Sequence, residues 1–438
     1  MSRSIQSVLL GTFSLRFSTG LTGGLLVYYL DDLPLFGGAH VDSTTVGLLT
    51  AGYFVAELVL SPMFGYLSDR FGAHRIMQIG PMFGLVAVLT TAFVTDLWIL
   101  GGTRLLEGGA AAASIPSILG YIALATSGDQ STRGRAVARF EAATLAGIGL
   151  GIVAAGPIFD TLGRGGFILN GAIYLGSFAT YRWGVAELHH EASDDERAAG
   201  THHVRPDRLD VGRYMRILRS SHVWLLAPTW IALNAVLGSW ATQSVFQLVR
   251  EPPPQFHDQL LMQGFTPTSV SLGFGVVGVI FTAGLWYWGN RFRTFRRTTI
   301  IAIGLAGALV MLAAGLALNH TEGWVLAVQV ALAAVAAVGL FVMAGATPAA
   351  LGLLADISEA HPADRGAIMG LYSVFLGIGQ ILGALASGFA GDWAGIDGLL
   401  YASLILIVVA ILPVHRLRAS EHLVGTRPGH PGVSVARR

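Results

Sequence analysis

Twelve apolar stretches, each long enough to cross a lipid bilayer, recur along this chain with short turns between most of them. They fall near 6–30, 43–66, 75–95, 97–125, 136–160, 165–185, 223–249, 267–289, 297–318, 322–355, 366–390 and 397–415. A hydrocarbon layer about 30 Å thick needs about 20 apolar residues of helix to cross it, and its backbone must satisfy its own hydrogen bonds. The expected fold is therefore an all-α membrane bundle of twelve transmembrane helices. Composition agrees: 53% of the 438 residues are hydrophobic and only 12% charged, about half the charge content of a soluble domain. The first stretch is too long for a secretory signal and lacks a cleavage site, so it is expected to be retained. Pro62, Pro116, Pro228 and Pro348 lie inside spans and are expected to bend them.

Charge sets the orientation. All 27 basic residues are arginine. With a cytoplasmic N-terminus, Arg16 and Arg104 are intramembrane, only Arg164 and Arg250 are external, and the rest lie at the inner face, as the positive-inside rule requires. The external turns carry acids instead, among them Asp31, Asp32, Asp42, Asp96, Asp160, Glu251, Asp258, Glu322, Asp392 and Asp397. The expected location is the cytoplasmic (inner) membrane of a prokaryote, multi-pass, with both termini cytoplasmic. The net charge of +1 gives no reason to expect a nucleic-acid partner. The absence of cysteine excludes disulfides, thiol catalysis and cysteine metal sites.

One substantial hydrophilic stretch, 186–222, divides the chain into an N-terminal half (1–185) and a C-terminal half (223–415), followed by a cytoplasmic tail (416–438). His189, His190, Glu191, Asp194, Asp195, Glu196, His202 and His203 lie in it, but their spacing matches no metal framework, so a solvated linker and no metal are expected. Arg205 to Arg219 could lie along an anionic leaflet. The two halves are related by duplication. Sliding 116–163 by 232 positions onto 348–395 gives thirteen identities in 48 positions, including Pro116 with Pro348, Arg133 with Arg365, Gly156 with Gly388, Asp160 with Asp392 and Gly163 with Gly395.

Between the second and third spans stands a polar run, Gly65, Tyr66, Leu67, Ser68, Asp69, Arg70, Phe71, Gly72, Ala73, His74, Arg75. Its glycines allow a tight reversal, and its charges lie at headgroup level. The run resembles the loop between the second and third helices of major facilitator superfamily transporters, although Ala73 stands where that family usually has a basic residue. The resemblance implies a conformational latch of Gly65, Asp69, Arg70, Gly72 and Arg75. Asp69 is expected near the start of the eleventh helix, around Arg365, and Arg70 near Asp129 or Glu141. A worn copy follows the eighth span at Asn290 to Arg297, without the carboxylate.

Arg104, Leu105, Leu106, Glu107 and Gly108 likewise resemble the fourth-helix motif of the superfamily, with Glu107 in place of the usual glutamine. The resemblance transfers a proton-coupling role to Arg104. Positions three apart share a helix face, which allows an ion pair with Glu107. Under the repeat these positions become Ala336 and Gly339, so the charged machinery belongs to the N-terminal half. Arg16 and Glu57 are the other intramembrane charges, each costing about 2.5–3.5 kcal/mol if it faced lipid. Each lies about nine or ten residues from the inner face, roughly 14–15 Å at the helical rise, so adjacent helices would bring them level. Two readings stand, a transport path and mere fastening of helices. For a path, Glu57, Arg104 and Glu107 are the proton-coupling candidates, and Arg16, Asn234, Gln243 and Gln329 the substrate-binding ones.

Gly147, Gly151, Gly156 and Pro157, with Gly379 and Gly383, read as smooth faces for helix packing. Gly156-Pro157 also resembles the fifth-helix motif of proton-coupled antiporters in the superfamily, although Phe159 and Asp160 depart from it. Gly273, Gly275 and Gly278 have a dinucleotide-type spacing but no preceding strand. No nucleophile–base pair appears in the spans, so no enzyme is expected. The expectation is a monomeric secondary transporter, driven by a proton gradient without a bound cofactor, which exports amphiphilic or drug-like compounds by alternating access. Its partners would be lipid, a small-molecule substrate and protons. The alternative is an organic-anion transporter that uses the intramembrane arginines. A non-transporting sensor is the third reading.

Overall fold

The computed structural model describes residues 3–127, 129–188, 223–359 and 365–424. Six helices precede the linker: α1 (Arg3–Asp31), α2 (Ser43–Phe71), α3 (Ile79–Phe93, after a single turn Ala73–Ile76), α4 (Leu97–Ala125), α5 (Gln130–Leu162) and α6 (Gly165–Gly184). Six more follow: α7 (Val223–Val249), α8 (Pro267–Gly289), α9 (Arg297–Asn319), α10 in two pieces (Leu326–Met343 and Ala346–Glu359), and α11 and α12, the two arms of Arg365–Val424. The last two join across Ala394 and Gly395, whose backbone is not helical. The linker histidines, with residues 189–222 generally, lie outside the described residues, and no metal-ligand cluster occurs among the described ones.

The chain runs up and down, so the turns gather at two ends. One end holds Asp31 to Asp42, Asp96, Asp160 and residues 250–266, 320–325 and 394–395; this is the acidic end. The other holds Gly72, residues 126–129 and 290–296 and the start of α1; this is the arginine-rich end. The duplication is visible in the backbone. Gly163 and Gly395, paired by the 232-residue offset, both turn the chain at positive φ (53° and 60°), a conformation that costs glycine little. Nine stretches are long and apolar enough to span a membrane among the described residues, the last covering both α11 and α12; α1 and α6 fall outside that set. Large apolar side chains such as Val59, Val279 and Leu412 cover the outer surface.

Of the two large hydrophobic cores, one lies wholly in the C-terminal half and the other fills the N-terminal half and takes in Val245, Phe246, Val249 and Val270 of α7 and α8. Within each, glycine permits backbone contact between the first and fifth helices. A Cβ added at Gly151 would lie 2.2 Å from the Phe17 carbonyl of α1, and one added at Gly383 2.0 Å from the Ala235 carbonyl of α7. Gly147 and Gly379 do the same one turn earlier, against Phe13 and Arg16 and against Ile231. Between the halves, α2 meets α11 and α5 meets α8. Among the described residues, every hydrogen bond between the halves lies on the acidic side of the bundle, from Thr50 with Thr242 outward to Asp392 with Ser43. At mid-depth the contacts are apolar, as where Gly377 faces Leu58.

Gly383→Val should lower the thermal midpoint of the purified protein, because overpacking costs about 1–3 kcal/mol. Gly176→Ala, where a Cβ meets nothing within 4 Å, should not. Equal midpoints would contradict backbone contact at Gly383.

Candidate functional site

Four helices of the N-terminal half bring together a buried polar cluster. α1 supplies Arg16, α2 Tyr53 and Glu57, α4 Arg104 and Glu107, and α6 Tyr174 and Tyr181. Its order follows from helical spacing: 53 with 57, and 104 with 107, fall on single faces. Gly147 leaves room for Arg16, since a Cβ there would sit 2.8 Å from the arginine's own Cβ. Gly108 lets α4 reach α2, where a Cβ would lie 2.2 Å from the Tyr53 carbonyl.

Arg104 Nη1 donates to Glu107 Oε2 within the same helix. The Arg104 guanidinium also lies over the Tyr53 ring, 5.1 Å from its centroid. Glu107 Oε1 is buried and has no hydrogen-bond partner. This asymmetry leaves one carboxylate oxygen bound and the other able to accept a proton. Arg16 is different. It is only 6% exposed, yet no ion pair or hydrogen bond to its guanidinium occurs among the described residues. Glu57 of α2 and Glu141 of α5 are the carboxylates in its neighbourhood, and neither forms a salt bridge with it. The structure thus places Arg16 near Glu57, as helix depth implies, and leaves the pair open.

The remaining expected ligands are engaged elsewhere. Asn234 donates to the Trp230 carbonyl of its own helix (2.8 Å), Gln243 to the Ser43 carbonyl (2.6 Å) and Gln329 to the Thr321 carbonyl (2.9 Å). None of the three joins Arg16. The tyrosines of the cluster were not singled out from the sequence. The signal for Tyr53 was available, because it precedes Glu57 by four residues.

At the arginine-rich end, Asp69 and Arg70 are exposed, and Arg70 stacks on Phe71 at 5.3 Å. Among the described residues Arg70 forms no ion pair with Asp129 or Glu141, and the side chain at Arg365, expected near Asp69, lies outside them. Gly72 turns the chain at φ 92°. Arg75 pairs with Glu187 at 3.1 Å. Asp129 caps α5 by accepting from the Thr132 backbone at 3.0 Å. Arg365 opens α11, and its side chain is outside the described residues. Gly65 lies in α2 facing Pro116 of α4, where an added Cβ would come within 4.0 Å of the proline side chain.

At the acidic end, Gly156 meets the Pro267 carbonyl so closely that a Cβ would lie 2.1 Å away. The Ser271 hydroxyl inserts beside it, accepting from Gly156 N (2.8 Å) and donating to the Ile152 carbonyl (3.1 Å). Gly156 therefore lies in a seam between the halves. A pocket of about 510 Å³ opens there, lined by Asp31, Asp32, Asp160 and Glu251 with Tyr28, Phe36, Phe159 and Phe265. Burial pushes the Asp31 carboxyl up to about 6, helped by Asp32 and Glu251 and opposed by Arg250.

A duplicated twelve-helix bundle with a buried charged cluster in its N-terminal half and a polar seam between its halves has the plan of a membrane transporter. The chain belongs to the major facilitator superfamily, whose family model matches residues 8–339 and 259–432. It is 24% identical over 376 residues to "Multidrug resistance protein 2" of Bacillus subtilis (strain 168), covering 84% of this chain and 85% of that one. It is 22% identical over 431 residues to "Quinolone resistance protein NorA" of Staphylococcus aureus (strain MSSA476), covering 96% and 99%. Among solved structures, a bacterial homolog of the human lysosomal transporter Spinster superposes with a TM-score of 0.71 at 12% identity, covering 97% of this chain and 98% of that one.

Two outcomes test the site. Glu107→Gln alone should destabilise the protein more than Arg104→Met with Glu107→Leu together, because removing one partner strands a buried charge at about 3–5 kcal/mol. A double variant less stable than the single would contradict this. For Asp31, a raised pKa means that ionisation costs stability as pH rises from the ordinary 3.8 to about 6. Asp31→Asn should flatten the pH dependence of stability across that window, and an unchanged profile would show that Asp31 is not the group titrating there.

Proposed function

We propose that this transporter couples proton entry to the export of amphiphilic or drug-like compounds across a prokaryotic cytoplasmic membrane. The arginine-rich end is assigned to the cytoplasm by the positive-inside rule, which puts both termini there. In that orientation the hydrogen bonds described between the halves lie on the external side, which fits a state open toward the cytoplasm. Substrate enters from the cytoplasm, and rocking of the halves carries it outward. The protein works as a monomer in lipid, since each chain holds both halves of the cavity.

The observation that carries this reading is the open pairing of Arg16 with Glu57. A half-buried carboxylate near an arginine it does not bind has two states: ionised when the arginine approaches, protonated when it withdraws. In the proposed cycle Glu57 takes a proton from the external side and surrenders it inside. Arg104 and Glu107 form a second switch, in which Glu107 holds a proton on its unbonded oxygen. When the cytoplasmic end closes, Asp69 docks on the start of α11 near Arg365 and Arg70 on Asp129 or Glu141, which stabilises the outward-open form. The exposure of Asp69 and Arg70 fits the opposite, inward-open state. The names of the two relatives, a multidrug resistance protein and a quinolone resistance protein, support the export of drug-like compounds.

A second reading rests on Arg16 alone. A buried guanidinium without a bound carboxylate is a ready site for an organic anion, which would displace Glu57 and release it for protonation.

In proteoliposomes with an imposed pH gradient, Glu57→Gln should retain substrate exchange between the two sides and lose uphill accumulation. Accumulation at the parental level would leave Glu57 structural and pass the role to Glu107. Arg16→Gln should abolish uptake of anionic amphiphiles and spare cationic ones if the second reading holds.

A further inference from the structure

The acidic end carries a device that the duplication has built twice. α2 begins at Ser43, and its first three N–H groups have no partner in their own helix. Its N-cap, Asp42, accepts from Thr45 N at 2.7 Å. The other two are taken by the opposite half: Asp392 of α11 accepts from Ser43 N (2.8 Å), Thr44 N (2.8 Å) and the Thr44 hydroxyl (2.6 Å). α8, the second helix of the C-terminal half, repeats the plan. Its N-cap, Thr266, accepts from Ser269 N at 3.3 Å, Pro267 has no N–H to satisfy, and Asp160 of α5 accepts from Thr268 N at 2.9 Å. Asp160 and Asp392 are the residues that the 232-residue offset superimposes. One turn before each stands a paired glycine at the same seam: Gly156 faces Pro267 and Gly388 faces Ser43. Those glycines bring the helices close enough for each carboxylate to reach.

We infer that Asp160 and Asp392 are the two arms of a clasp in which the fifth helix of each half caps the second helix of the other, holding the acidic end shut until the transport cycle opens it.

The arms are unequal. Asp392 fills two backbone donors and lies partly buried, while Asp160 fills one and is exposed. Burial raises the Asp392 pKa, but the hydrogen bonds from Thr44 and Ser43 outweigh it and hold the carboxyl below the usual range. Ser43 is also gripped by α7 and the residue that follows it: Gln243 donates to its carbonyl (2.6 Å), Gln247 to its hydroxyl (2.7 Å) and Arg250, just past the helix, to its hydroxyl (3.3 Å). The start of α2 is thus a plug seated in the C-terminal half. Its release exposes the two donors to water, which replaces Asp392 at small cost. The clasp therefore holds the closed state without trapping it.

The chain contains no cysteine, so spin labels can be placed without background. One pair, Leu35→Cys with Glu322→Cys, reports across the acidic end; another, Trp183→Cys with Arg416→Cys, reports across the arginine-rich end. By the usual strength of a helix cap, Asp392→Ala should raise the population open at the acidic end by roughly 2- to 30-fold. Asp160→Ala should raise it less, and the double variant more than either. Each gain in long distances at the acidic end should come with a matching gain in short distances at the other. Asp392→Asn, which keeps one acceptor oxygen, should shift the population in the same direction by less and serves if the alanine variant fails to fold. Distance distributions in the double variant equal to the parent's at both ends would overturn the inference. So would widening at the acidic end alone, since that marks loosening rather than release of a clasp.

Discussion

Hydrocarbon supplies no partner for a charge or a backbone donor, and most of this architecture follows from that constraint. Apolar spans become helices because only helices satisfy their own backbones. The helix ends then become the places where the chain must find partners, and at the acidic end it finds them in the opposite half. Asp42 with Asp392, and Thr266 with Asp160, complete the donors that open α2 and α8. The same constraint gathers the intramembrane charges into one cluster, where Arg104 answers Glu107 and Arg16 faces Glu57. Stability and function meet here: groups that must be partnered are the groups that can change partners.

The two halves divide the work unequally. Glycine seams, the turns at Gly163 and Gly395 and the carboxylates that follow the seams are duplicated, because both halves need to pack and to close. The charged cluster is not, as Ala336 and Gly339 stand where the N-terminal half has Arg104 and Glu107. The C-terminal half offers a polar pair of its own kind, Arg297 with Asp356 at 3.1 Å between α9 and α10, beside Phe292. It ties neighbouring helices of that half. In the proposed cycle one half carries the coupling and the other supplies the surface against which it rocks.

Much of the fold was legible because its signals are long. Twelve apolar stretches, a charge asymmetry and thirteen repeat identities survive errors of a few residues at each boundary. The Arg104–Glu107 pair was legible because it lies within one helix turn. Contacts between remote segments were not. Gln243 is an intramembrane glutamine by sequence, yet its amide is spent on the Ser43 carbonyl, 200 residues away. Asp160 and Asp392 were legible as external acids and as repeat partners, but their grip on α8 and α2 depends on how the halves dock. Asp69 and Arg70 were legible as a charged turn, and in the structure both stand exposed.

The central claim is that movement of substrate and movement of protons share the N-terminal cluster. The direct measurement is proton flux driven by a substrate gradient alone: protein in liposomes with a trapped pH dye, no initial pH difference, and a step in ethidium concentration as the amphiphilic probe. The account predicts proton movement opposite to the probe, absent when Glu57 is replaced by glutamine. Movement of the probe through the parent protein with no accompanying change in internal pH would contradict it.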